Sequence, residues 1–172
     1  MKTAALTKKL SIETAAADIQ AQLADEQLAE IYAQRIRSQR TRRFALAENP
    51  RKPTPAVAIQ HTLLGIELKI GQRRLSCPDW ATARYLAVFA RLGVAEIAVP
   101  YDITQVSTLA DELESSWFRM LALIEHFGQG QTGRWRGLLL QSLRCHQRDA
   151  IAASGAGATM PEFIQNTKQR RQ

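Results

Sequence analysis

Between Leu63 and Asp102 the hydrophobic period changes twice, and few folds tolerate that order. Ile66, Leu68 and Ile70 alternate with Glu67 and Lys69, the period of a half-buried strand. Gly71-Gln72 suits a two-residue hairpin turn whose first residue needs a positive φ, so Arg73 to Cys77 is predicted to return as a second strand. Tyr85, Leu86, Phe89 and Leu92 then recur at helical spacing. Ser76 and Asp79 have the spacing of a capping box, Pro78 suits a first turn, and Gly93 stands where a left-handed C-terminal residue belongs. Glu96 to Val99 reads as another short strand, stopped by Pro100. Hairpin, helix and strand in this order predict a small mixed sheet whose last strand returns parallel through a right-handed crossover.

The flanks are helical. Ser11 to Ala47 reads as one long helix, with Ile12, Ala16, Ile19 and Leu23 on one side and Leu28, Ile31 and Ile36 continuing it less regularly. Pro50, Pro53 and Pro55 then break the chain, and Ala56 to Gln60 offers a further short strand. Asp102 or Thr104 caps a helix to Phe127, whose Trp117 and Met120 belong to a packing stripe rather than to a ligand box. GQGQTG leads into a last helix, Arg134 to Ala153, with Trp135, Leu138, Leu139, Leu143 and Ile151 inward. The expected class is therefore α+β: a long N-terminal helix, a small mixed sheet and two C-terminal helices. The expected organisation is a flexible start (1–10), an N-terminal helix with a basic end (11–48), an α/β core (49–153) and a flexible basic tail (154–172).

A hydrophobic content of 45% excludes global disorder, and the net charge of +7 makes an anionic partner plausible. Cys77 and Cys145 have no metal-site spacing, His61, His126 and His146 add none, and no run reaches the roughly 20 apolar residues of a membrane span. The expected protein is cytoplasmic, with no membrane association and no cofactor. Residues 31 to 52 hold seven Arg/Lys against one Glu, whereas 94 to 130 hold six acids against Arg119 alone. Bases at a helix C-terminus complement the macrodipole, but five arginines in nine residues exceed that need. Arg35, Arg37, Arg40, Arg42, Arg43, Arg51, Lys52, Arg73 and Arg74 are therefore the expected contacts to nucleic-acid phosphates, DNA or RNA. The competing expectation is a structural or adaptor subunit that docks on a protein partner, or on a second copy, through residues 11–36.

Glu67 and Lys69 lie two apart on one strand and so share a face. Glu67, Leu68, Lys69, Gly71, Arg74, Leu75, Ser76, Ala83, Leu86, Leu92, Gly93, Glu96, Ile97, Ala98 and Val99 together resemble the core of the PD-(D/E)XK nucleases, and within them the small VRR-NUC-like branch. The resemblance covers about forty residues. It implies a catalytic Glu67 that binds Mg²⁺ and a Lys69 that stabilises charge on the attacking water or the phosphate. The family's upstream aspartate has no counterpart, since no Asp lies between Glu30 and Pro78. A nuclease-like core that binds nucleic acid without cleaving it is the expectation, with an active metal-dependent nuclease as the alternative.

Overall fold

The computed structural model of the chain describes residues 11–46, 56–155 and 158–159. Helix α1 (Ile12–Leu23) begins at Ser11, whose hydroxyl accepts from Thr14 N–H. The expected single helix to Ala47 does not form. Ala24 takes a positive φ of 44° and Gln27 is extended, which breaks the helix into α2 (Leu28–Ile31) and a π-helical turn over Tyr32–Ile36. Arg40–Ala45 is strand β1. Arginine is a good helix former, but propensity is weak beside packing, and Phe44 and Arg42 gain the cross-strand neighbours Ile97 and Val99 instead, so tertiary pairing prevails.

Two small sheets follow. Strands β2 (Val57–Thr62), β3 (Gly65–Ile70) and β4 (Arg73–Cys77) form an antiparallel meander. The Gly71-Gln72 turn is as expected, with Gly71 at φ 60°. Helix α3 (Trp80–Leu92) is capped by Asp79, whose carboxylate accepts from both Thr82 N–H and Thr82 Oγ1 at 2.7 and 2.8 Å, so Ser76 stays in β4 and caps nothing. Strand β5 (Glu96–Pro100) does not rejoin the hairpin. It pairs antiparallel with β1, which also carries β6 (Ala158–Thr159) in parallel. The class is α+β as expected, but the parallel return beside the hairpin is absent. An antiparallel partner was available in β1, which the sequence disguised as helix.

Helices α4 (Ile103–Phe127) and α5 (Gly133–Ser154) complete the body. Helix α3 is buried on most sides, between the meander, α4 and β5. Arg84 ties α3 to α4, donating to Asp111 at 2.7 Å and from Nε to Glu114 at 3.1 Å, and these two carboxylates hold its pKa above the ordinary value. The apolar side expected to dock on a partner is turned inward: Ala16, Ile19, Leu23, Leu28, Ile31 and Ile36 are buried in the chain's own core. On α5 the inward series is Leu139, Leu143, Gln147 and Ile151, and Leu138 is exposed.

Gly93 ends α3 at φ 82°, and a Cβ there would lie 3.3 Å from the Arg144 guanidinium. Gly93→Ala is expected to cost about 1 kcal/mol from the left-handed backbone alone. A urea titration with an unchanged midpoint would contradict this account of the α3 terminus.

Candidate nucleic-acid interface

The register of the meander sorts its side chains. Ile59, Ile66, Leu68, Ile70, Leu75 and Cys77 share the face toward α3. Ala58, Gln60, Glu67, Lys69, Arg74 and Ser76 share the other face. Glu67 and Lys69 therefore do lie side by side, and Lys69 stands directly opposite Arg74. Like charges facing each other across a strand pair are destabilising. Among the described residues Glu67 moderates this one, with Arg74 Nη1 3.6 Å from Oε2. That separation is too long for a hydrogen bond, so Oε2, on a side chain only 18% exposed, is a shielded acceptor without a hydrogen-bond donor. Arg73 pairs with Ile70 in the register and so projects from the opposite face to Arg74.

Most of the remaining sequence candidates among the described residues already have a partner elsewhere in the fold. Arg35 is ion-paired with Glu112 on α4. Arg37 donates to the Ser154 carbonyl at 2.9 Å, closing the C-terminus of α5. Arg42 lies 5.0 Å above the Phe44 ring, with Nε buried and lacking an acceptor. Arg43 approaches Glu96 at 3.7 Å. Arg40 is exposed at the start of β1. Arg51 and Lys52 lie outside the described residues, as do 1–10 and most of the basic tail.

The positive charge is unevenly divided along the chain. The described residues hold fifteen Lys/Arg and fourteen Asp/Glu, and the rest of the chain holds eight Lys/Arg and two Asp/Glu. Six of the seven net positive charges thus belong to residues 1–10, 47–55 and 156–172.

Two other places were candidates for chemistry. A cavity of about 490 Å³ lies between β5 and the end of α5, lined among others by Tyr32, Arg43, Glu96, Ile97, Arg148 and Ile151. Its charged rim pairs internally, Arg43 with Glu96 and Arg148 with Asp149 at 3.4 Å. The backbone edge beside it is also closed. Leu46 N–H donates to Ala95 and Tyr101 N–H to Arg40, so Glu96 and Ala98 turn their peptide groups away from β1. Tyr85 donates to Ala98 O at 2.6 Å, and the Ala98 amide lies against the Tyr32 hydroxyl, which itself donates to Gly155 O at 2.7 Å. Burial raises the pKa of both phenols. The edge of β5 is thus sealed at its middle against an added strand. Among the described residues no group of three His, Cys, Asp or Glu side chains is close enough to hold a metal ion. No helix of the described residues is long and apolar enough to cross a membrane.

The β2–β3 turn was not singled out by the sequence. Leu63 and Leu64 are 106% and 91% exposed there, and His61 stacks on Trp80 beside them with centroids 4.9 Å apart. Two adjacent leucines in a Thr-Leu-Leu-Gly turn were the available signal. No family model, no curated protein and no solved structure matches this chain.

Proposed function

We propose that the protein binds nucleic acid through its phosphates, without base-specific readout, using the solvent face of the β2–β3–β4 meander together with its basic segments. The observation that carries this reading is the cross-strand Lys69–Arg74 pair. A positive pair placed face to face weakens a hairpin, and an anion seated between the two removes that penalty. The near-neutral described body and the cationic remainder divide the work: the meander positions the backbone, and the other segments add charge by counterion release. Glu67 beside Lys69 supplies one carboxylate and an arginine neighbour, which suits holding a phosphate-facing cation better than holding Mg²⁺.

Fluorescence anisotropy with a labelled duplex tests this between about 50 and 200 mM salt, where binding should fall linearly in the log–log plot. Lys69→Gln is expected to reduce the slope by about 1, one phosphate contact fewer. It should leave the melting temperature unchanged or slightly higher, because the repulsion with Arg74 is relieved. Arg35→Gln, which removes a cation already paired with Glu112, should leave the slope unaltered. Absence of binding at the lowest salt, or equal loss from both variants, would sink the reading.

A further inference from the structure

Leu63 and Leu64 project from the end of the meander on a turn that is held, not loose. Thr62 Oγ1 accepts from Leu64 N–H and donates to the Gly65 carbonyl, both at 3.2 Å, and Gly65 reaches φ 120°. Two leucines at 106% and 91% exposure are almost entirely in water, which a chain with 45% hydrophobic residues and a full core has no packing reason to keep there. His61, two residues before Leu63 and on the α3 side of the meander, stacks on Trp80, which is 44% exposed, with their planes 9° apart. Residues 57 to 77 carry Lys69, Arg73 and Arg74 against Glu67 alone, so the arm that bears this tip is cationic.

We infer that Leu63 and Leu64 are a wedge that enters the base stack of a nucleic acid at an unpaired or weakly stacked step, with the His61–Trp80 pair as a stacking surface for the displaced base. This rests on the phosphate-binding reading above and adds the form of nucleic acid preferred. Area and charge select this occupant. A stable protein interface needs about 800 Å² from each partner, far more than two leucines and a tryptophan edge present. A base step is matched in size to an apolar wedge of one or two side chains, and proteins that bend nucleic acid use leucine and isoleucine in this way. The leucines stand at the β2–β3 end of the meander and the Lys69–Arg74 pair near its β3–β4 end, four residues or roughly 13 Å along β3, so the phosphates that the pair holds would flank the wedge rather than adjoin it. Aromatic faces accept any base, so the preference is for deformability and not for sequence.

The test compares a fully paired duplex of roughly 30 base pairs with one holding a two-nucleotide bulge flanked by 2-aminopurine, using the full chain. Wild type is expected to bind the bulged duplex about tenfold tighter and to brighten the 2-aminopurine by unstacking it, since an unpaired step is the cheaper one to open. Leu63→Ser/Leu64→Ser should abolish both the preference and the fluorescence rise, while its salt slope on the paired duplex stays at the wild-type value. Thermal melting should be unaltered, because neither side chain packs in the fold. Equal wild-type affinity for the two duplexes, or a double variant that keeps the preference, overturns the wedge and leaves the phosphate reading standing. No binding to either duplex overturns both.

Discussion

Phe89→Ala should lower the unfolding free energy by about 3–5 kcal/mol, the largest loss expected from any single truncation in this chain. Phe89 is fully buried in the last turn of α3, with its ring 5.1 Å from that of Tyr85 and 6.1 Å from that of Tyr32, the latter edge-on. The aromatic trio joins α3 to the π-helical turn of the N-terminal segment and, through the two hydroxyls, to Ala98 and Gly155. Removing the central ring forfeits its transfer free energy and leaves a cavity that the flanking tyrosines cannot fill without giving up those hydrogen bonds. The melting temperature should drop by roughly 10 °C or more for a chain of this size. Phe89→Leu, which keeps most of the volume, should cost only about 1 kcal/mol. Urea unfolding checks both, and a loss below that of the leucine variant would mean the trio is not the centre of the core.

Gln147→Ala should cost about 2–4 kcal/mol, much more than an average glutamine. Gln147 is almost fully buried, accepts from Ala29 N–H at 2.8 Å and donates to Gln27 Oε1 at 2.8 Å. It supplies from α5 the acceptor that α2 lacks at its own start, where Gln27 makes no side-chain cap. Without it a backbone N–H is left unpaired inside the core, together with a void. Gln147→Leu should recover only the packing share, because the Ala29 amide stays unsatisfied. Hydrogen exchange gives the sharper readout: amides of residues 28–36 should lose protection before those of α3. Uniform loss across the chain would show that Gln147 stabilises globally and does not hold the N-terminal break.

Much of the middle of the chain was readable because its signals are local. The Ile66–Leu68–Ile70 alternation, the Gly71 turn, the α3 spacing, the Gly93 terminus and the Asp102 cap each depend on residues within a few positions of one another. The same locality explains why Glu67 and Lys69 were rightly placed on one face. What was misread depended on partners far away. Arg40 to Ala45 is polar and arginine-rich, and only Ile97 and Val99 on β5 make it a strand. Leu138 has the spacing of an inward residue but lies on the outside, while the inward polar position, Gln147, answers to Ala29 across 118 residues of sequence.

The candidate interface divides in the same way. Composition marked the arginines but could not show which were already engaged. Arg35, Arg37 and Arg43 meet Glu112, the Ser154 carbonyl and Glu96, contacts made only when distant segments come together. The Lys69–Arg74 opposition needed a strand register, and the exposure of Leu63 and Leu64 needed the whole core to close without them.

Sequence alone determined the α+β class, the hairpin, the two C-terminal helices and the excess of positive charge, since periodicity, turn chemistry and charge count are properties of neighbouring residues. Tertiary structure decided that β5 pairs with β1 and not with the hairpin, which arginines remain available, and where apolar side chains are left in water. Those outcomes are set by competition among segments for a limited buried surface, and no window along the chain contains both competitors.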